Sequence, residues 1–124
     1  MSQVFNQALP EGCPPTSATS RPQAAYRIVK TDPATASDFQ THAQLGLAPH
    51  VDLCRRSTLS IFASYRQASH RRSLTPSLGA HVAHAALTAA HGVISSPNGA
   101  GHMDWWAFAG MVNPSEFKVV AGEH

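Results

Sequence analysis

Three short runs in which apolar and polar residues alternate set the main constraint on this chain. They are "YRIVK" (26–30), "TLSIFA" (58–63) and "EFKVVA" (116–121). A period of two sends successive side chains to opposite sides of an extended backbone, and β-branched and aromatic residues favour that backbone. Tyr26, Ile28 and Lys30 share one side of the first run; Arg27 and Val29 share the other. In the second, Leu59, Ile61 and Ala63 oppose Thr58, Ser60 and Phe62. In the third, Phe117, Val119 and Ala121 oppose Lys118 and Val120.

Helix signals lie between these runs. Asp32 before Pro33 reads as a helix start, because Pro tolerates the first helical position. Ser37 and Gln40 have capping-box spacing, Phe39, Ala43 and Leu47 follow at helical spacing, and Gly46 can take the left-handed terminal conformation. Residues 46–57 read as a loop. Ser64 and Gln67 open a second short helix over 64–72, which ends before Pro76. "SSPNGAG" is a loop by composition, with a tight turn at Asn98-Gly99. The order predicts an α+β fold, with two short helices packed on a small, mostly antiparallel sheet. The first, second and last strands are expected side by side.

"GAHVAHAALTAAHG" (79–92) pulls two ways. Alanine is the best helix former, and as a helix this stretch would align His81, His84 and His91 within about an 80° arc. As a strand it would place His84 opposite His81 and His91.

The chain's 124 residues suffice for one domain. Residues 1–25 are Pro-rich and lack apolar periodicity, which predicts a flexible arm ahead of a single domain over 26–124. Charged residues make up 13%, about half of the ~25% usual share, so little repulsion opposes association with a partner protein or a second copy. A net charge of +2 is too small to argue for nucleic acid. The five arginines within 55–72 (Arg55, Arg56, Arg66, Arg71 and Arg72) could form a phosphate or carboxylate patch, or a solvated face. Cys13 and Cys54, 41 residues apart with one in the arm, do not read as a disulfide framework. No 18-residue apolar run spans a membrane and no secretion signal is visible, so the cytoplasm is the default location.

Candidate chemistry clusters in the second half. His81 and His84, with His91 and His102 downstream, have spacing that two zinc ligands on one helix could use. Only Cys54 and Asp104 could complete such a set, and a strand would send His81 and His84 apart, so no metal is assigned. In "GHMDWW" (101–106), His102, Asp104 and Trp106 fall on one side of an extended segment. A carboxylate at this spacing can orient an imidazole for acid–base work; the plainer alternative is a hydrogen-bonded strand edge beneath two indoles. Trp105 and Trp106 point oppositely, which predicts one in the core and one exposed as an interface anchor. There is no nucleophile elbow, phosphate-cradling glycine loop or CxxC pair.

The segments "YRIVKTDPATASDFQTHAQLG", "LSIFASYRQASH", "PSLGAHVA" and "GHMDWW...FKVV" resemble a widespread group of small, uncharacterised bacterial proteins. The resemblance covers about residues 26–120. It implies that residues 79–88 form a strand, although the group favours bulky and β-branched residues where this chain has alanine. We take the strand. The group brings no agreed activity. A more distant similarity is to the ADP-ribosyltransferase-like fold, in which an early strand offers a polar or basic residue to NAD. A later strand there carries a Ser-Thr-Ser-like element, and a late acidic residue completes the site. Arg27, Ser60 within "STLS" (57–60), and Glu116 or Glu123 stand in those places. The similarity implies that a guanidinium pairs with pyrophosphate, hydroxyls orient the ribose, and a carboxylate stabilises an oxocarbenium-like centre.

Two functional classes follow. The first is a small bacterial or mobile-element binding protein of the inhibitor, immunity or anti-defence kind. It would work by protein–protein contact without a cofactor. Tyr26, Arg71, Arg72, Asp104, Trp105 and Trp106 are its candidate contact residues. The second is a compact NAD-using transferase or toxin with Arg27, Ser60, His102 and Glu116 at its centre.

Overall fold

A computed structural model describes residues 4–121. Six strands form one sheet: β1 (Gln23–Val29), β2 (Leu59–Phe62), β3 (His81–Leu87), β4 (Gly92–Ile94), β5 (His102–Ala107) and β6 (Lys118–Val120). Their order is β4-β5-β2-β1-β3-β6, and every neighbouring pair is antiparallel. The α+β class holds. The alanine-rich segment is the strand β3, paired with β1 from Gln23↔Leu87 to Val29↔His81. Small side chains there share the core with rings: Ala25, Ala83 and Ala85 are buried together with Phe39, Trp105 and Phe117. Packing of this kind outweighs a helix propensity of a few tenths of a kcal/mol per residue.

The last strand is not beside the first two. β3 lies between β1 and β6 and takes the place expected for β6. The centre of the sheet is also narrow. β1 and β2 share one rung, Tyr26↔Phe62, whereas β2 and β5 share four, from Leu59↔Trp105 to Phe62↔His102.

Helices are short. α1 (His42–Leu45) ends at Gly46 with φ +69°, the left-handed conformation that glycine adopts cheaply. The longer helix expected here is broken, because the buried Asp38 turns back instead of facing solvent. Its carboxylate accepts from the Lys30 and Thr35 amides at 2.7 and 3.0 Å and from the Thr31 hydroxyl. These bonds hold Ala36–Phe39 in a 3₁₀ turn. The capping boxes are therefore Thr35/Asp38 and Thr41/Gln44, not Ser37/Gln40. The expected loop contains α2 (Leu53–Arg56), capped by Asp52. α3 (Tyr65–Leu74) starts at Ser64, whose hydroxyl accepts from the Gln67 amide at 3.2 Å. α3 seats its one buried residue, Ala68, on Tyr26, Phe62 and Val82.

The N-terminal segment, expected as a flexible arm, lies against the sheet. Thr19 bridges Ile94 on the β4 edge, Phe5 bridges Phe108, and Arg21 donates to the Ile94 and Ser95 carbonyls. This path brings Cys13 to Cys54, and the two form a disulfide with Cα atoms 5.6 Å apart. The expectation that the two cysteines make no disulfide framework assumed a mobile arm, and the seated segment removes that assumption.

Candidate functional site

Ser60, His102 and Asp104 meet on the helix-bearing side of β2 and β5. Alternation places them there: Leu59, Ile61, Met103 and Trp105 fill the opposite core, so their neighbours face the other way. Register then sets Ser60 across from Asp104 and Phe62 across from His102. His102 Nε2 lies 3.0 Å from Ser60 Oγ and 3.9 Å from Asp104 Oδ1. The Phe62 ring stands edge-on to the imidazole at 5.5 Å. Thr58 Oγ1 sits 3.3 Å from Asp104 Oδ1 and 2.8 Å from the Arg55 carbonyl. Ser60 is exposed, while His102 and Asp104 are half-buried.

The turn ahead of β5 positions the imidazole. Asn98 Oδ1 accepts from the amides of Ala100 and His102, both at 2.9 Å. Gly101, at φ +76°, closes this turn against Gln67. Burial holds the His102 pKa below its usual value, and Arg55 and Arg71 push the same way against the opposing pull of Asp104. The ring is therefore neutral at pH 7. Ser60 and Asp104 address the same ring nitrogen. A Ser–His–Asp relay needs them on opposite nitrogens, so this trio is not a serine-nucleophile triad.

The other expected site residues lie elsewhere. Arg27 faces the opposite core, over the Phe39 ring at 5.2 Å. Its guanidinium donates twice to the Asp38 carbonyl and once to the Ser60 carbonyl at 2.8 Å, reaching across the gap beyond the single β1–β2 rung. Burial pushes its pKa down to about 10, which leaves it charged at neutral pH. Glu116 meets His91: the Thr88 amide donates to Nδ1, so the ring proton sits on Nε2, 3.2 Å from the carboxylate. Glu123 lies outside the described residues. Tyr26 is buried, its ring 4.7 Å from that of His84. Arg72 donates to the Ala80 carbonyl and to Ser69, while Arg71 is exposed.

Trp105 and Trp106 are both buried, at 0% and 2% exposure, so the expected exposed anchor is absent. The reason is that α2 covers the helix-bearing side there, and Trp106 Nε1 donates to the Cys54 carbonyl. The histidine pair separates on β3, and among the described residues no three His, Cys, Asp or Glu side chains gather to hold a metal. Sequence reasoning missed Thr58 and Gln67 as parts of the site. The Ser64–Gln67 cap and the Asn98-Gly99 turn were both visible, but nothing in either showed that they meet at Gly101. No family model, curated protein or solved structure matches the chain.

Proposed function

We propose that this chain is an NAD-using, ADP-ribosyltransferase-like enzyme with its reaction centre at Ser60, His102 and Asp104. The carrying observation is the 3.0 Å contact between Ser60 Oγ and His102 Nε2 beside the Asp104 carboxylate, on two paired strands. An exposed hydroxyl, a neutral imidazole and a half-buried carboxylate suit a ribose bearing hydroxyl donors. NAD, when bound, supplies a labile bond to nicotinamide. Ser60 and Asp104 hold the ribose hydroxyls, and the Asp104 charge stabilises positive charge developing at the sugar. His102, neutral, takes the proton from an incoming acceptor. Asp104 thus fills the role of the late carboxylate, and Arg27 supports the sheet from behind. The disulfide favours an oxidising setting over the cytoplasm.

The test is NAD-dependent release of nicotinamide, with a thermal-unfolding shift as a binding readout. Wild type should show both, and Asp104→Asn and His102→Ala should abolish release. Absence of nicotinamide release from the wild-type chain at millimolar NAD would overturn the reading, with or without a thermal shift.

A second reading, a small inhibitor- or immunity-type binding protein, is favoured by one observation. Leu45, Leu47 and Leu53, on and between α1 and α2, are 47%, 50% and 45% exposed. Leucines this exposed on one stretch of chain suit a protein contact. That reading predicts a partner complex lost on Leu47→Asp and unaffected by His102→Ala.

A further inference from the structure

We infer that Arg55 and Arg71 clamp a phosphate or pyrophosphate group above Ser60 and His102. The inference names the ligand group of the site proposed above and rests on that reading for its place, but its test is separate. The arginines of the sequence cluster divide into two kinds. Arg56 donates to the Leu47 carbonyl, and Arg72 to Ala80 and Ser69. Arg66 has an interaction of its own. Arg21 and Arg27 are saturated with backbone carbonyls. By contrast, the guanidiniums of Arg55 and Arg71 are exposed and meet no acceptor among the described residues.

Their placement gives them a shared target. Arg55 stands on α2, which is pinned to β5 by the Trp106–Cys54 bond and to the N-terminal segment by the disulfide. Arg71 stands on α3, on the same side of the sheet. Both helices border the strip carrying Ser60 and His102: the Arg55 carbonyl accepts from Thr58, which reaches Asp104 at 3.3 Å, and Gln67, one turn before Arg71 on α3, lies against Gly101, the neighbour of His102. Arg55 and Arg71, without an acceptor among the described residues, border a strip that holds one carboxylate, Asp104, so an anion there meets more positive than negative charge while hydroxyl donors meet the carboxylate and ring. This pairing selects a phosphorylated sugar, and the guanidinium fork matches phosphate geometry.

The experiment titrates the intact, oxidised chain with inorganic pyrophosphate at fixed ionic strength, by calorimetry and by NMR of the His102 ring. Pyrophosphate should bind above a matched chloride control and should raise the His102 pKa by neutralising its two cationic neighbours. Arg55→Gln and Arg71→Gln should each weaken binding at least about tenfold. Lys30→Gln, which removes the same charge from an exposed lysine outside the cluster, should not. Both arginines are exposed, so these variants keep the fold, which a retained unfolding transition verifies. Equal weakening by Lys30→Gln, no binding above chloride, or an unmoved His102 would each overturn the clamp. Pyrophosphate binding without nicotinamide release would sink the enzyme reading and leave the clamp standing. Release that survives both arginine changes would do the reverse.

Discussion

At the scale of single residues, two buried or half-buried groups set the pH response. His102 titrates below its ordinary 6.5, held down by burial and by Arg55 and Arg71 against Asp104. Between its folded value and about 6.5 the unfolded chain binds more protons, so stability falls as pH drops through that window. Denaturant melts at stepped pH should show this slope for the wild type, and His102→Gln should flatten it. Asp38 behaves differently. Burial would raise its pKa, but bonds from Thr31, Thr35 and Lys30 outweigh this and hold it below 3.8. Its contribution is present above that value and is lost as pH falls through the folded one. Asp38→Ala should cost about 3 kcal/mol at pH 7, because two amides and a hydroxyl lose their acceptor. Equilibrium unfolding measures it directly.

At the scale of elements, the turn into β5 is the sensitive joint. A Cβ on Gly101 would stand 2.0 Å from Gln67 Oε1, and the residue needs φ +76°. Gly101→Ala should destabilise by about 1–2 kcal/mol from the left-handed backbone alone. Adding Gln67→Ala should recover only the part due to the clash, and a double-mutant cycle separates the two. Strands were largely legible, because alternation over 26–30 and 58–63 has one physical reading. The first helix was not. Its local pattern fitted several caps, and the choice fell to Asp38, whose partners Lys30 and Thr31 precede it by a turn that only tertiary structure closes. Ser60 and His102 were legible as candidates on separate segments. Their meeting depends on β2–β5 pairing across some forty residues, which no local pattern encodes. The expectation that one of the two indoles is exposed fails for a similar reason, since the cover of Trp106 comes from α2 far away in sequence.

At the scale of the whole molecule, the N-terminal segment is part of the fold because Cys13–Cys54 closes a 41-residue span and seats it beside α2. Replacing both cysteines by alanine should lower stability by about 2–4 kcal/mol. It should also expose the Thr19–Ile94 bridge to amide exchange before the central strands open. The single rung at Tyr26↔Phe62 has a different consequence. It divides the sheet into two plates, β4-β5-β2 and β1-β3-β6, each internally well stitched. The line between them is a crease, and Ser60 stands beside it with Arg27 fastened across from behind. Fewer rungs resist bending along that crease than inside either plate, so the amides flanking Tyr26 and Phe62 should exchange ahead of those paired between β1 and β3.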